Sequence, residues 1–234
     1  MVVGSHPWTP QDTRRARGAQ PFALACSAVL AGCGDAPDAV APSSAQREPD
    51  GRPVVLFLGT SLTAGYGLPS NEAFPALLQQ RIDAAGLAYR VVNAGVSGDT
   101  SAGGLSRLGW LLRLPLAVLV VELGANDMLR GLDVGALQRN LTAIVERAQA
   151  AHPGVRVVVV GMRAPPNLGG AYVDAFETVY SQLAQEHDAT LVPFLLEGVA
   201  AVPQLNQPDG IHPNAEGQRR VAETVWPALS PLLR

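Results

Sequence analysis

Between residue 53 and the C-terminus, five short apolar runs alternate with segments of helical periodicity, and this alternation limits the chain to very few folds. The run at residues 116–123 is apolar almost throughout, which is typical of a central strand covered on both faces. Strands that alternate with helices form a parallel sheet with helices on both sides, joined by right-handed crossovers. We therefore predict an α/β domain, a flavodoxin-like three-layer α/β/α sandwich with a five-stranded parallel sheet. The other four predicted strands are residues 54–59, 89–93, 156–161 and 190–194.

Capping and breaking residues mark the ends of several predicted helices. Asn71 precedes apolar residues at helical spacing and is predicted to cap one helix, and Asp133 is predicted to cap another. The last helix is expected to begin near Asn214. Because Pro227 lies inside that helix and has no backbone N–H, we expect a kink or a break near Trp226.

The N-terminal segment has the parts of an export signal in the required order. Three arginines between residues 14 and 17 precede an apolar run at 22–30, which is too short to span a bilayer. The run ends in Leu-Ala-Gly-Cys at 30–33, which looks like a bacterial lipobox, where the thiol of Cys33 becomes lipid-modified. The alternative interpretation is an ordinary signal peptide with an incidental cysteine.

The next segment, residues 34–52, is rich in Ala, Pro, Ser and charged residues and has no apolar periodicity, which is typical of a flexible tether. We therefore divide the chain into a lipoprotein signal peptide at 1–32, a tether at 33–52 and a folded domain at 53–234. Such a protein is expected to be exported to the periplasm and to meet a membrane only through the lipid on Cys33.

Composition excludes several kinds of chemistry. The chain has no lysine, so a P-loop lysine, a Schiff-base lysine and a Ser-Lys dyad are excluded. The net charge is −3 and no basic cluster lies beyond the N-terminal segment, so nucleic acid is not an expected partner. Both cysteines, Cys26 and Cys33, precede the domain, which therefore has neither a disulfide nor a thiolate metal site.

Candidate catalytic residues follow the predicted strands, at the edge where open parallel sheets form their sites. Ser61 comes just after the first strand, at the expected start of a short helix, where a nucleophilic hydroxyl would be exposed and the local amides would favour negative charge. A helix N-cap serine is the alternative, and the position of Ser61 alone does not separate the two.

A serine nucleophile needs a base, and the domain has only three histidines. His152 and His187 are predicted to lie at helix ends, where a surface role is the simpler interpretation. His212 follows Asp209 by three residues, a spacing at which the carboxylate can hold the imidazole Nδ1–H while Nε2 faces a serine. An Asx-turn beside a chance histidine is the alternative.

Two further residues could stabilise an oxyanion. Gly98 lacks Cβ and can bring its backbone N–H close to a substrate, and Asn126 offers a side-chain amide at the end of a buried strand. Their alternatives are a turn glycine with positive φ and a loop-stabilising amide. Three nearby carboxylates, those of Asp99, Glu122 and Asp127, are predicted to be structural, because no histidine or second acid is spaced to form a metal site or an acid/base pair with them.

Together these segments resemble the four sequence blocks of the SGNH-hydrolase, or GDSL-esterase, family. The resemblance implies that Ser61 is the nucleophile, that Asp209 and His212 complete a triad, and that Gly98 and Asn126 complete an oxyanion hole begun by the amide of Ser61. The blocks are Gly-Thr-Ser-Leu at 59–62, Asn-Ala-Gly-Val-Ser-Gly at 93–98, Gly-Ala-Asn-Asp at 124–127 and Asp-Gly-Ile-His at 209–212.

In detail the chain is most similar to the bacterial subgroup of periplasmic acyl-CoA thioesterases, lysophospholipases and arylesterases, through Ser-Gly-Asp-Thr at 97–100 and Asp-Gly-Ile-His-Pro-Asn at 209–214. This resemblance implies a serine hydrolase that cleaves small-molecule carboxylic esters and thioesters through an acyl-enzyme, with no metal and no organic cofactor. It also implies that residues 163–170 flank the acyl channel. The alternatives are a carbohydrate O-deacetylase on the same fold and a non-catalytic lipoprotein binding module.

One residue departs from the family pattern. Thr60 stands where the family usually has Asp in the first block. Because the replaced carboxylate is not the triad acid, activity is expected to survive, and the orientation of the surrounding loops is the property that the substitution would affect.

Overall fold

The computed structural model describes residues 51–234, and these contain one five-stranded parallel sheet. The strand order is β2-β1-β3-β4-β5, with every neighbouring pair parallel. The predicted α/β sandwich with a five-stranded parallel sheet is therefore confirmed. The strands are β1 (Val54–Gly59), β2 (Arg90–Gly95), β3 (Leu116–Glu122), β4 (Arg156–Val160) and β5 (Thr190–Val192).

Helices cover both faces of the sheet in two groups. The second and last helices pack against each other, and the third, fifth and sixth form the other group. The helices are α1 (Ser61–Ala64), α2 (Phe74–Ala84), α3 (Ser101–Leu111), α4 (Ala125–Leu129), α5 (Val134–Ala151), α6 (Gly170–Glu186) and α7 (Ala215–Leu229). Short 3₁₀ turns lie at Ser70–Glu72, Pro166–Leu168, Pro203–Leu205 and Ser230–Leu233. No helix within residues 51–234 is long and apolar enough to cross a bilayer.

The core lies between the two helix layers and is centred on β1 and β3. All six residues of β1 are buried, and in β3 only Ala117 is partly exposed. This burial on both faces explains why these strands read as continuous apolar runs. β2 lies at one edge of the sheet and is only partly buried, so its run is less apolar. The positions of Ser61 and Asn126 follow from this arrangement, because each lies just beyond the end of a rigid buried strand.

Two of the four helix-end predictions are confirmed. The side chain of Asp133 accepts a hydrogen bond from the backbone N–H of Ala136, at 2.7 Å, and so caps α5. Asn214 caps α7 in the same way by accepting from the N–H of Gly217, at 3.0 Å.

The prediction that Asn71 caps a helix is wrong, and so is the predicted break at Pro227. Asn71 lies in a 3₁₀ turn, and α2 begins at Phe74 after Ala73, which offers no side-chain cap. Pro227 does not break α7 near Trp226, because the helix continues to Leu229 before a 3₁₀ turn follows. Pro227 falls in the last turn of α7, where only one missing backbone hydrogen bond has to be tolerated.

The predicted signal peptide, the lipobox at Cys33 and all but the end of the predicted tether lie outside the described residues. The predicted domain start at residue 53 immediately precedes β1.

Candidate active site

Ser61 is the first residue of α1, directly beyond β1. The N-cap of this helix is Thr60, whose hydroxyl accepts from the N–H of Leu62, at 3.4 Å. The alternative interpretation of Ser61 as an N-cap serine is therefore wrong. The hydroxyl of Ser61 does not cap the helix and lies 2.9 Å from Nε2 of His212.

The loop before α7 brings a histidine and a carboxylate to Ser61. Nδ1 of His212 lies 2.7 Å from Oδ2 of Asp209, so Ser61, His212 and Asp209 form one hydrogen-bonded series. The other carboxylate oxygen, Oδ1, accepts from the backbone N–H groups of Ile211, at 2.9 Å, and His212, at 3.0 Å. Asp209 thus forms an Asx-turn and also binds the imidazole, so the two interpretations of this residue hold together.

These hydrogen bonds set the charge of Asp209. The backbone N–H of His212 first, then the imidazole and the N–H of Ile211, stabilise the ionised carboxylate and lower its pKa from 3.8 to about 2. A carboxylate that stays ionised can hold Nδ1–H of a neutral imidazole, which leaves the lone pair of Nε2 directed at the serine hydroxyl.

Contacts from the neighbouring segments hold the His212 loop in place. The backbone N–H of Gln207 donates to the carbonyl of His212, at 2.8 Å, and its side-chain amide donates to the carbonyl of Tyr66, at 2.6 Å. The ring of Tyr66 packs on the imidazole, with 4.6 Å between ring centroids. Gln207 therefore ties the loop that carries the base to the segment that follows the serine.

Gly98 and Asn126 line the same cavity as Ser61. Gly98 has φ of +79°, so its interpretation as a turn glycine is correct and is compatible with a substrate-facing N–H. The side-chain amide of Asn126 donates one hydrogen to the carbonyl of Asp99, at 2.8 Å, which fixes the amide plane and leaves its second hydrogen free. Within residues 51–234, the backbone N–H groups of Ser61 and Gly98 have no hydrogen-bond acceptor.

A buried carboxylate supports the start of α1 from below. Glu122, at the end of β3, accepts from the N–H of Thr60 at 2.9 Å, the hydroxyl of Thr60 at 3.0 Å and the hydroxyl of Thr63 at 2.7 Å. Burial raises the pKa of Glu122, and these donors oppose that rise. A side chain at Gly59 would put Cβ 2.1 Å from Oγ1 of Thr63, so glycine is required beside this network.

The other two acidic residues near the site also have structural partners. Asp99 accepts from Nε of Arg107, at 2.7 Å, and Arg107 in turn donates to the carbonyl of Gly59, at 3.0 Å. Asp127 accepts from the N–H and the hydroxyl of Ser101, at 2.8 and 2.5 Å, and so holds the start of α3. These contacts agree with the structural roles predicted for Asp99, Glu122 and Asp127.

The other two histidines within residues 51–234 lie at helix ends. His152 and His187 follow the last residues of α5 and α6, at the helix ends where they were predicted. Within residues 51–234, no three His, Cys, Asp or Glu side chains are grouped so that they could hold a metal ion.

A mainly apolar cavity of about 490 Å³ opens at Ser61. Of the predicted channel loop, residues 163–170, only Arg163 lines it. Most of the far wall comes from the segment between β5 and α7, which the sequence analysis missed. That wall includes Phe194, Leu196, Ala200 and Ala201, and the other large apolar lining residues are Leu62, Tyr66, Met128, Leu129, Met162 and Ile211.

The backbone of this wall has one unusual conformation, which is visible only in the structure. Ala201 has φ of +60°, a left-handed conformation that is unusual for a residue with Cβ. In the sequence it stands in an unremarkable run of small and apolar residues, so no pattern singles it out.

Comparison with known proteins agrees with this arrangement. Residues 57–220 match the GDSL-like Lipase/Acylhydrolase family. The chain is 47% identical to the esterase TesA of Pseudomonas aeruginosa over 180 residues, which cover 76% of this chain and 89% of that protein. It is 41% identical to the thioesterase 1/protease 1/lysophospholipase L1 of Escherichia coli K12 over 181 residues, or 76% of this chain and 84% of the relative.

A solved structure agrees as well. The crystal structure of TesA superposes with a TM-score of 0.73 at 47% sequence identity, and the match covers 77% of this chain and 99% of the solved one. The solved chain therefore forms this fold with about as many residues as the match covers.

Proposed function

The chain belongs to the GDSL-like lipase/acylhydrolase family, and from that premise we infer that it hydrolyses carboxylic esters and thioesters through an acyl-enzyme on Ser61. The observation that carries the inference is the series from Ser61 Oγ through His212 to Asp209, with separations of 2.9 and 2.7 Å, at the mouth of an apolar cavity. Serine, base and orienting acid thus meet at a place where an acyl chain can lie.

The first half of the reaction forms the acyl-enzyme. Nε2 of His212 takes the proton of the Ser61 hydroxyl as Oγ attacks the acyl carbonyl. The N–H groups of Ser61 and Gly98 and the amide of Asn126 stabilise the oxyanion that develops. The tetrahedral intermediate collapses, the protonated His212 gives its proton to the leaving alcohol or thiol, and the acyl group remains on Ser61.

The second half returns the enzyme to its starting state. His212 takes a proton from a water molecule, which attacks the acyl carbonyl and forms a second tetrahedral intermediate in the same oxyanion site. As this intermediate collapses, Oγ leaves and recovers the proton from His212, and the carboxylic acid is released. Asp209 stays ionised throughout and holds Nδ1–H, so it stabilises each imidazolium without taking the proton.

Replacing Ser61 by alanine tests the proposal. Ser61→Ala is expected to lower kcat for a p-nitrophenyl ester by at least about 10³-fold, because the other triad members cannot act without the nucleophile. The melting temperature should change little, since the side chain of Ser61 makes one hydrogen bond, with Nε2 of His212. Ser106→Ala is the matched control, because the Ser106 hydroxyl binds only the carbonyl of Gly103 on an exposed helix surface. A Ser61→Ala variant with unimpaired kcat would refute the assignment.

Two further measurements separate the alternatives. A fluorophosphonate probe should label the wild type and not Ser61→Ala, whereas a non-catalytic binding module would not be labelled. A panel of esters and thioesters of rising acyl length distinguishes an acyl-chain hydrolase from a carbohydrate O-deacetylase. The apolar cavity of about 490 Å³ favours the former, and we expect kcat/KM to rise from acetyl to medium-length acyl groups.

We also propose that the protein is exported as a lipoprotein and anchored through Cys33. The support is the order of arginines, apolar run and Leu-Ala-Gly-Cys in residues 14–33. In a bacterial host, wild-type protein should incorporate labelled palmitate and have a mature N-terminus at Cys33. Cys33→Ala should incorporate none, and equal labelling of the two proteins would contradict the anchor.

A further inference from the structure

Large apolar side chains on the surface are concentrated at one edge of the domain. Of the seven that are exposed within residues 51–234, six lie in segments that follow the carboxyl ends of the strands, the edge that carries Ser61. The six are Tyr66, Val96, Leu129, Leu132, Leu168 and Ile211, which we call the apolar rim. The seventh, Trp110, lies near the end of α3, which runs back toward the opposite edge.

This distribution differs from the scattered exposure that a soluble surface normally shows. The residues of the rim lie in five separate strand-to-helix connections, so the exposure is not the property of a single loop. Three of its members, Tyr66, Leu129 and Ile211, also line the cavity at Ser61. Leu129 and Ile211 remain 64% and 55% exposed, so the apolar surface of the cavity continues outward onto the face of the domain.

We propose that the apolar rim seats the domain on a zwitterionic phospholipid surface, with the mouth of the cavity facing the lipid. The continuity between cavity and rim favours this occupant, because an acyl chain could pass from the lipid phase to Ser61 without crossing water. The proposal names the surface from which the substrate of the proposed ester hydrolysis is taken. It rests on that proposed function only where it assigns the cavity to the acyl group.

The charges near the rim favour a zwitterionic surface over an anionic one. Arg163 is paired with Glu197 at 3.4 Å, and Asp133 is paired with Arg139 at 3.6 Å. Arg130, between Leu129 and Leu132, donates to the carbonyl of Gly98 at 2.7 Å and is a single cation, so the rim has no cationic cluster. A surface recognised through basic residues would require a cluster of unpaired cations instead. Apolar contact of this kind should therefore be insensitive to salt.

Binding to vesicles tests the proposal without any turnover. The experiment uses a protein that begins at Glu48, because Glu48–Arg234 is a compact unit and the matched TesA chain forms the same fold with about that many residues. Neither the apolar segment at 22–30 nor Cys33 is then present to bind lipid. Leu132→Ser with Leu168→Ser is the informative double variant, since neither residue lines the cavity. Trp110→Ser is the matched control, as it removes a larger exposed side chain from outside the rim.

Wild type should sediment with phosphatidylcholine vesicles equally at about 0.1 M and about 0.5 M salt. The double variant should have a partition constant lower by about tenfold or more, because each lost leucine removes several buried CH₂ or CH₃ groups. Trp110→Ser should stay within about twofold of wild type. Hydrolysis of a short water-soluble ester should be the same in all three proteins.

The proposal is overturned if wild type does not bind these vesicles, if Trp110→Ser loses as much binding as the double variant, or if high salt releases the protein. A lipid-free dimer that the double variant abolishes would assign the rim to a second copy of the chain instead. Vesicle binding by a protein that hydrolyses no ester would leave the docking surface standing and reject the proposed function, so the two failures are distinguishable.

Discussion

At the scale of single residues, Asp209 uses its two carboxylate oxygens for different purposes. Oδ1 accepts two backbone N–H groups and shapes the loop, while Oδ2 accepts from the imidazole of His212. In Asp209→Asn, either the backbone N–H groups or the imidazole must face the amide N–H₂, which cannot accept a hydrogen bond. We expect kcat/KM for a p-nitrophenyl ester to fall by roughly 10³–10⁴-fold, because the imidazole is left in the wrong tautomer or the loop is displaced.

The pH dependence of stability tests the structural role of the Asp209 carboxylate separately from its role in catalysis. The pKa of Asp209 is lowered to about 2 in the folded protein, so its ionised form stabilises the fold above its ordinary pKa of 3.8. This stabilisation is lost as the pH falls from about 4 to about 2. The urea midpoints of wild type and Asp209→Asn should therefore differ at pH 6 and converge toward pH 2, and a constant difference would contradict the ionic role of the carboxylate.

Thr60 shows how the departure from the family pattern is accommodated. Its hydroxyl lies 3.0 Å from both carboxylate oxygens of Glu122, so an aspartate at this position would place two buried carboxyl groups together. Such a pair retains a proton that the unfolded chain releases. Thr60→Asp should therefore lose stability relative to wild type as the pH rises from 5 to 8, which chemical denaturation at each pH would measure.

The rate should respond less than the stability in Thr60→Asp. Thr60 contacts Glu122 and the N–H of Leu62, not the hydroxyl of Ser61 or the imidazole, so kcat/KM is expected to change by less than about tenfold at pH 6. Thr60→Ser, which keeps the hydroxyl, is the control and should match wild type in both measurements. A large gain of activity in Thr60→Asp would show instead that threonine impairs this enzyme.

At the scale of elements, α2 is capped from a distant part of the chain. The side-chain oxygen of Gln218, in α7, accepts from the N–H of Phe74 at 2.8 Å, and its amide donates to the carbonyl of Leu62 at 3.3 Å. Gln218 is buried, so Gln218→Ala would leave the N–H of Phe74 without a partner, and the carbonyl of Leu62 would keep only the hydrogen bond from the N–H of Gly65, at 3.4 Å. We expect a loss of about 1–3 kcal/mol in the free energy of unfolding, measured with urea.

Gln182→Ala is the matched control for this cap. Gln182 lies on the exposed side of α6 and its oxygen accepts only a long hydrogen bond from Gln138, at 3.4 Å. Its loss should cost less than about 0.5 kcal/mol. If the two variants are equally stable, Gln218 does not cap α2 in solution.

The same element shows where prediction from the sequence succeeds and where it stops. Capping by Asp133 and Asn214 was predictable because each contact spans three residues, within reach of a local pattern. The cap of α2 could not be predicted, because Gln218 lies 144 residues from Phe74 and no local pattern connects them. The local pattern pointed to Asn71 instead. The strands were found more readily, since full burial makes β1 and β3 apolar at nearly every position.

The site follows the same rule. Ser61, Gly98, Asn126, Asp209 and His212 could be named as candidates from their residue types and positions, and their roles came from the family blocks to which they belong. The wall formed by Phe194, Leu196, Ala200 and Ala201 could not, because its residues have no distinctive chemistry and their direction is set by the path of a long connection. The residues that meet at this edge were therefore predictable, and the shape of the cavity was not.

At the scale of the whole molecule, the site depends on segments that are distant in sequence. Ser61 and His212 are 151 residues apart, and the cavity between them is closed by the connection from β5 to α7. All of these segments meet at one edge of the β-sheet. A substitution at one position in the wall can therefore change which substrates fit without altering the triad.

Ala200 is such a position, since it is exposed and lines the cavity. In Ala200→Phe the aromatic ring should occupy part of the roughly 490 Å³ that an acyl chain would fill. We expect kcat/KM for decanoyl esters to fall by about tenfold or more, while acetyl and butanoyl esters change by less than about threefold, because a short acyl group does not reach the added ring.

Ala175→Phe is the control for Ala200→Phe, because Ala175 is exposed on α6 and lies outside the cavity at Ser61. Its acyl-length profile should be that of the wild type. An Ala200→Phe profile lowered equally at all chain lengths would mean that the substitution disturbs the loop and the His212 segment that follows it. Only a selective loss for long chains would place the acyl group against this wall.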